Sequence, residues 1–403
     1  MNFVYISPNF PEAFRFFCVR LAENGVNVLG IGDAPFDELH EDLKWCVTEY
    51  YRVDSLENYD EVLMAAGYYT WKYGKIDWIE SNNEYWLELD AQLRTDFNVA
   101  TGLKTPDMMK IKHKSAMKEF YRQAGIPVAR AQMATDLKDA LAFVHEVGFP
   151  VVAKPDNGVG AIATYKLESD EDVRQFFETK PDIEYLMEEF VPGSVTTYDG
   201  VCNSKGEVLF AASHITKNSI MDMVNKGVPT YYYVDKKVPK DVETAGKAVL
   251  KAFGVTSRCF HLEFFRLTKA KKGLGKKGDI VALEVNMRPA GGFTPDMLNF
   301  SQSKDIYQIY ADMVAFDEVR HEFRGPASYC VYAGRRDRNR YKRSLQELEE
   351  YAGGHARLFT RMPDALAGTM GNQVAIACFK TLREVDDFIE KAFEPEDSED
   401  EAK

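Results

Sequence analysis

Long apolar runs, paired cysteines and a glycine-rich dinucleotide motif are all missing from this sequence of 403 residues. Because no run reaches about eighteen apolar residues, we expect no membrane-spanning helix. The six cysteines are far apart and include no CxxC pair. This spacing argues against a cysteine metal site and favours reduced, mostly buried thiols in a cytoplasmic protein. The N-terminal segment MNFVYISPNF lacks the features of a signal peptide and predicts a first strand.

A positive net charge is also missing, since 63 Asp and Glu residues outnumber 50 Lys and Arg residues and give a formal net charge of -13 at pH 7. This balance argues against general affinity for nucleic acid. Any site for anions would therefore be a local basic feature on an acidic protein. The C-terminal segment EPEDSEDEAK is strongly acidic, and we expect it to be a solvated, disordered tail over 396–403.

Residues 1–104 alternate between β-prone and helical segments, which predicts a parallel α/β domain with helices on its faces. The first strand is followed by SPNFPEAF and not by GxGxxG, so a dehydrogenase-type dinucleotide site is not expected. From about residue 105 the pattern changes to a mixed α+β unit, whose length of about 90 residues is usual for a domain.

The segment LEVNMRPAGG places Glu284, Asn286 and Arg288 at alternate positions of a predicted strand, where they share one face. The preceding strand CFHLEFFRL contributes Glu263, and a polar loop joins the two strands into a predicted hairpin. If the strands pair, the two carboxylates and the amide converge as oxygen ligands suited to Mg²⁺. Arg288 then offers a planar fork to phosphate or carboxylate oxygens. An ordinary polar, solvent-facing side of a sheet is the alternative, and the trio alone slightly favours it.

Two lysines stand where a cation is unusual. Lys154 ends the apolar strand of FPVVAKPDNGVGA, and Lys114 begins a helix, where the dipole disfavours positive charge. A shared phosphate would be a partner for both, and the loop with Gly158 and Gly160 would cover it with backbone N–H groups. The alternatives are a lysine that snorkels at a strand end and a solvated lysine at a helix start.

Two weaker signals complete the candidate residues. The strand LMEEFVPG ends in a Pro-Gly turn, and its edge backbone groups are able to hydrogen-bond a nucleotide base. Many edge strands share this character. His214 and His261 are interpreted as structural residues.

In chain order, Lys114, PVVAKP with its glycine loop, MEEFV, HLEFF and LEVNMRPAGG resemble the ATP-grasp superfamily. Within it, the chain is similar to carboxylate–amine ligases related to carbamoyl phosphate synthase, biotin carboxylase and D-alanine–D-alanine ligase. The resemblance covers about residues 1–320. It implies an α/β and α+β architecture with these parts: a pre-ATP-grasp parallel α/β domain (1–104), a small ATP-grasp lobe (105–192), a large lobe with the metal site (193–320), a C-terminal α+β subdomain (321–395) and the tail (396–403).

The resemblance also implies how ATP is held. Lys114 and Lys154 would contact its phosphates, and the loop that includes Gly158, Gly160 and Ala161 would close over them. The interdomain segment would hold adenine, mainly through backbone groups of Glu189 and Val191. That segment consists of Glu188, Glu189, Phe190 and Val191.

The ribose and metal contacts follow from the same resemblance. Val195 stands near the place where many relatives carry a ribose-binding glutamate, so either Asp199 substitutes for it or the ribose contact differs. The metal residues, which would hold two Mg²⁺ ions with Mn²⁺ as an alternative, are Glu263, Glu284 and Asn286. Arg288 would act in catalysis by stabilising the acyl phosphate or the transferring phosphoryl group.

The activity implied is an ATP-dependent ligase that converts a carboxylate into an acyl phosphate for attack by an amine. The substrates would be small molecules, amino acids or peptide-like compounds. No nucleic-acid or membrane partner is expected, and a homodimer is compatible with the family. The alternatives are an ATP-dependent carboxylase or carbamoyl phosphate-type enzyme, and a nucleotide-binding regulatory protein without turnover.

Overall fold

A computed structural model describes residues 1–158, 163–217 and 229–396 of the chain. Gly160 and Ala161 of the predicted phosphate loop lie outside these ranges, as does most of the predicted acidic tail. The described strands form three sheets. Over the same ranges, no helix is both long and apolar enough to cross a membrane. The six cysteines are buried and form no disulfide, as their spacing predicted.

The N-terminal unit is built around a parallel sheet. Its helices and strands are β1 (Asn2–Ile6), α1 (Arg15–Glu23), β2 (Asn27–Gly32), α2 (Glu41–Cys46), β3 (Glu49–Arg52), α3 (Tyr59–Tyr73), β4 (Trp78–Glu80) and α4 (Leu87–Asp96). The strand order is β3-β2-β1-β4, and all pairs are parallel. Phe3 and Tyr5 pack on the α1 side, whereas Val4 and Ile6 pack on the α3 side. This burial of both faces is typical of parallel sheets and confirms the predicted fold class.

The second unit is an antiparallel sheet covered on one face by helices. Its elements are α5 (Met108–Lys112), α6 (Lys114–Gln123), β5 (Ala131–Met133), α7 (Leu137–Val147), β6 (Val151–Pro155), β7 (Tyr165–Leu167), α8 (Asp170–Thr179) and β8 (Tyr185–Glu189). The strand order is β5-β8-β6-β7. Val151 and Ala153 of β6 pack with α7 and α8 in one core. Because side chains alternate along a strand, Lys154 projects from the other face.

The third sheet extends to the C-terminal part of the chain. Its elements are β9 (Gly193–Cys202), β10 (Val208–Ala212), β11 (His214–Thr216), β12 (Thr230–Val234), α9 (Lys240–Phe253), β13 (Arg258–Leu267), β14 (Ile280–Asn286), α10 (Thr294–Gln302), α11 (Ile306–Phe316), β15 (Tyr329–Arg335), α12 (Leu345–Ala352), β16 (Ala356–Arg361), α13 (Asp364–Met370), β17 (Gln373–Phe379) and α14 (Leu382–Phe393). Eight strands follow the order β14-β13-β9-β11-β12-β15-β17-β16, and β10 pairs with β9. Strands from before and after residue 320 thus belong to one sheet, which crosses the boundary predicted between the large lobe (193–320) and the C-terminal subdomain (321–395).

Candidate active site

Two glutamates face each other on neighbouring strands. In the register of β13 and β14, Glu263 lies directly opposite Glu284, and His261 lies opposite Asn286. The predicted hairpin is thus confirmed, and directly opposed residues of antiparallel strands project to the same face. The register shifts next to this pair, because Phe264 lies opposite Ala282. A β-bulge of this kind re-aims the side chains beside it.

The charges around the two glutamates are unequal. The Glu263 and Glu284 side chains are each 15% exposed. Burial raises the pKa of Glu284, and the nearby Glu263 raises it further, although Lys114 opposes both effects. Burial would also raise the pKa of Glu263. The hydrogen bond from His261 at 3.0 Å and the positive charge of that ring outweigh this effect and lower the pKa of Glu263. The pair therefore carries negative charge that the surrounding side chains balance only in part.

Lys114 reaches this pair from the start of α6. Its Nζ lies 3.2 Å from Glu284 Oε1 and donates to the Gly158 carbonyl oxygen at 3.0 Å. Sequence reasoning predicted this lysine and the neighbourhood of Gly158. The structure brings them together from segments that are 44 residues apart.

Asp156 fixes the start of α6 against the end of β6. Its carbonyl oxygen accepts from the Lys114 backbone N–H at 3.0 Å, and its carboxylate accepts from Ser115 N at 2.7 Å and Ser115 Oγ at 2.9 Å. The local N-cap residue, His113, forms no side-chain cap bond with the helix. Asp156 thus caps α6 from a distant segment. Sequence reasoning missed it, and the lack of a capping residue before Lys114 was the available signal.

A buried carboxylate holds the second predicted lysine. Glu188 Oε2 lies 2.6 Å from Lys154 Nζ, and Glu188 Oε1 lies 2.5 Å from Lys118 Nζ. Burial would raise the pKa of Glu188, but the two lysines outweigh it and lower the pKa to about 2. Burial would lower the pKa of Lys154, but Glu188 raises it above its ordinary value. Lys118, one turn after Lys114, belongs to the same charged cluster and was not predicted.

Two of the four residues of the predicted interdomain segment, Glu188 and Glu189, lie inside β8. Glu188 lies inside β8 between β5 and β6, and its side chain binds lysines. The Glu189 backbone N–H donates to the Arg130 carbonyl oxygen at 3.0 Å, and its carboxylate pairs with the Arg130 guanidinium at 2.9 Å. The link from β8 to β9 therefore begins at Phe190, which is half-buried, and continues with the buried Val191.

The surroundings of Asp199 do not fit a contact with ribose. The residue is 1% exposed. Its Oδ1 accepts from His261 at 2.6 Å, and its Oδ2 accepts from His214 at 2.8 Å and from the Thr197 hydroxyl at 2.5 Å. Burial would raise its pKa, but the two imidazoles hold it well below the usual range. Both carboxylate oxygens are therefore already engaged within the sheet.

Arg288 is oriented by a residue of the N-terminal unit. Its Nε donates to Glu84 Oε2 at 3.1 Å, and its Nη1 donates to the Pro289 carbonyl oxygen at 2.8 Å. Glu84 also accepts from Lys112 Nζ at 2.9 Å. Burial would raise the pKa of Glu84, but Arg288 and Lys112 lower it. Sequence reasoning missed Glu84, although it follows β4 at the carboxyl edge of the parallel sheet, where ligand sites often lie.

A cavity of about 350 Å³ lies beside the glycine pair that follows Arg288. Its walls come from the loop after β1, from the start of α10 and from the segment between β16 and α13. Gly292 contributes to it together with four phenylalanines: Phe10, Phe16, Phe293 and Phe300. Gly292 lies four residues after Arg288, so their Cα atoms are at most about 14 Å apart.

Comparisons with known proteins agree on one architecture, although no protein-family model matches the sequence. An L-arginine-specific L-amino acid ligase of Bacillus subtilis is 26% identical over 237 residues, which cover 55% of this chain and 53% of that relative. The match thus spans about half of the curated relative. The crystal structure of an L-amino acid ligase from Bacillus licheniformis has a TM-score of 0.71 at 15% identity, over 97% of this chain and 96% of that one.

A second solved structure contains nucleotide and metal. It is the biotin carboxylase domain of the 2-oxoglutarate carboxylase of Hydrogenobacter thermophilus, in complex with MgADP, ADP and bicarbonate. Its TM-score is 0.67 at 14% identity, and the alignment covers 96% of this chain and 88% of that one.

Proposed function

This chain has the ATP-grasp fold, as its motifs predicted, and on that premise we propose that it is an ATP-dependent carboxylate–amine ligase. It activates a carboxylate as an acyl phosphate, which an amine attacks, and it releases ADP and phosphate. Its substrates are amino acids or peptide-like compounds. The observation that carries the proposal is the opposed pair Glu263 and Glu284, with Asn286 on the same face and Lys114 at 3.2 Å from Glu284.

The acidic pair fits Mg²⁺. Two half-buried carboxylates directly opposite each other are unfavourable, and the raised pKa of Glu284 reflects that cost. Oxygen ligands on rigid strands with partial exposure are what Mg²⁺ requires, because this ion keeps several waters and binds substrate phosphates. Glu263, Glu284 and Asn286 would hold the metal, with Mn²⁺ as an alternative. When bound, Mg²⁺ would neutralise charge on the phosphates.

The lysines and Arg288 supply the rest of the charge. Lys114 and Lys154 project from different elements toward the acidic pair, so a polyphosphate between them would meet cations on two sides. Glu84 holds the Arg288 guanidinium in one orientation by a 3.1 Å hydrogen bond. A fixed planar fork suits a carboxylate or an acyl phosphate. Catalysis on this account consists of positioning and charge neutralisation.

The aromatic cavity beside Gly292 supports an amino acid as substrate. Its walls combine the phenylalanines with charged side chains of both signs, namely Glu12, Arg15, Asp296 and Arg361, so they fit a molecule with an apolar body and both a carboxylate and an ammonium group. The similarity to L-amino acid ligases favours ligation to an amine. A carboxylase is the second candidate, because the biotin carboxylase domain has a comparable fold.

We expect Asp156→Ala to weaken ADP binding about tenfold and to destabilise the protein by about 1–2 kcal/mol, since it removes the cap that sets the position of Lys114. Calorimetric titration with Mg-ADP and urea unfolding measure the two effects. Asp136→Ala is the matched control, because Asp136 caps α7 through a 2.9 Å bond to the Asp139 backbone. It should lower stability by a similar amount and leave ADP affinity unchanged. Equal ADP affinity in both variants would disprove the role of Asp156.

The activity itself is tested by measuring ADP and phosphate release with Mg-ATP and pools of amino acids. We expect release that requires both a carboxylate and an amine and that matches amide formation mole for mole. Release that requires bicarbonate would identify a carboxylase. Binding of ADP without turnover in any pool would favour a regulatory nucleotide-binding protein. Light scattering of the same preparation would decide whether the proposed homodimer forms.

A further inference from the structure

His214 lies on the same face of the sheet as the two opposed glutamates. The register places Glu263 between Glu284 on β14 and Thr197 on β9. On the next strand, β11, Ile215 lies opposite Thr196, so His214 adjoins Thr197. The His214 backbone N–H donates to Thr197 Oγ1 at 3.0 Å. His214 is thus two strands away from Glu263, or about 10 Å at the usual strand spacing.

Asp199 fixes the orientation of the His214 ring. The Nδ1 of His214 donates to Asp199 Oδ2 at 2.8 Å. Because Asp199 is buried and ionised, it holds the proton of His214 on Nδ1 and leaves the lone pair on Nε2. His214 itself is 8% exposed. Within residues 1–158, 163–217 and 229–396, its Nε2 forms no hydrogen bond.

His261 makes the opposite arrangement. Its Nδ1 donates to Asp199 Oδ1 at 2.6 Å, and its Nε2 donates to Glu263 Oε1 at 3.0 Å. Both ring nitrogens of His261 are therefore occupied by hydrogen bonds to carboxylates. Among the described residues of this face, His214 is the imidazole whose Nε2 stays open to accept a proton.

The ligation needs a proton acceptor. The α-amino group of an amino acid or peptide is largely protonated at neutral pH, with a pKa of about 8 in peptides. An ammonium ion has no lone pair for attack on an acyl phosphate. Lysines and arginines are charged donors and do not remove this proton, and the glutamates are assigned to metal.

We propose that His214, oriented by Asp199, is the general base that accepts a proton from the attacking ammonium group at Nε2. The inference rests on the proposed function. The neutral amine then forms the C–N bond to the acyl carbon, and the C–O bond to phosphate breaks. Phosphate leaves with the electron pair of that bond, and it takes up the second proton that the nitrogen loses as the amide forms. His214 later returns its proton to solvent.

The test compares two nucleophiles with His214→Asn. Hydroxylamine is largely uncharged at neutral pH, so it traps an acyl phosphate as a hydroxamate without a base. We expect the variant to lose amide formation with an amino acid by about 100-fold or more, while hydroxamate formation stays within a few-fold of the wild type. Raising the pH above the pKa of the amine should restore much of the lost rate in the variant.

His145→Asn is the control, since His145 on α7 has a 61% exposed side chain and pairs with Asp170 away from this face. His214→Gln provides a second variant, and thermal unfolding verifies that both fold. An equal loss of amide and hydroxamate, or no loss of either, would overturn the general-base role and leave the ligase standing. If the wild type makes no hydroxamate from any carboxylate, the proposed function fails as well.

Discussion

We expect the substitution Glu284→Gln to reduce the rate of ADP release by about 1,000-fold or more and to leave the protein folded. The substitution keeps the size and the hydrogen-bonding oxygen of the side chain but removes its charge. The proposed metal site would then lose the charge of one carboxylate ligand, the one directly opposite Glu263. Steady-state ADP release at saturating Mg-ATP measures the effect.

The stability of the same variant separates a functional role from a structural one. In the protein, burial and Glu263 together raise the pKa of Glu284 despite the presence of Lys114. The ionised carboxylate is thus unfavourable where it stands, so Glu284→Gln should unfold at the same temperature as the wild type or higher. Glu243→Gln on α9 is the matched control, because Glu243 contacts Lys247 on the surface. If Glu284→Gln unfolds at a lower temperature than the wild type, Glu284 has a structural role, and its assignment to the metal site is contradicted.

The second large effect concerns stability. Arg258 of β13 is 1% exposed, and its Nη2 lies 2.6 Å from Glu80 Oε2 at the end of β4. Arg94 of α4 lies 3.4 Å from the same oxygen. Burial and the neighbouring Glu80 raise the pKa of Asp90 to about 8, so Glu80 is the carboxylate whose buried charge the two arginines balance at neutral pH. We expect Arg258→Met to destabilise the protein by about 3–5 kcal/mol, because it leaves Glu80 beside Asp90 with one cation fewer.

Arg266→Met offers a control on the same strand. Arg266 pairs with Asp241 at 2.7 Å, but its side chain is 31% exposed. An exposed ion pair contributes about 1 kcal/mol at most. The loss in the free energy of unfolding, measured with urea, should therefore be several-fold larger for Arg258→Met than for Arg266→Met. Similar losses would show that burial does not set the strength of the Arg258 contact.

The sequence was sufficient for what depends on order and alternation along the chain. The spacing of Glu284, Asn286 and Arg288 predicted a shared face, and the observed register of β14 agrees with it. The position of Lys154 at the end of an apolar strand could also be predicted from the sequence. The trio alone slightly favoured an ordinary polar face, and the order of motifs along the whole sequence was needed to interpret these residues as resembling an ATP-grasp site.

What the sequence did not reveal depends on partners that are distant along the chain. Glu84 meets Arg288 across 204 residues, and Asp156 caps a helix that begins 42 positions before it in numbering. The same applies to His214, which was interpreted as structural. Its partner Asp199 lies 15 residues away, and only the pairing of β9 with β11 brings them together on the face of the glutamates. No local pattern encodes such contacts.

The continuity of the third sheet has a consequence for how this chain can be divided. β12 pairs along its whole length with β15, from Thr230 opposite Gly334 to Val234 opposite Cys330. A fragment that stopped near residue 320 would keep the pairing of β12 with β11 but would expose the other edge of β12, five residues rich in tyrosine, without a partner strand. Such edges recruit other strands and promote aggregation. The C-terminal segment therefore covers an edge of the sheet that would otherwise be open to pairing with another chain.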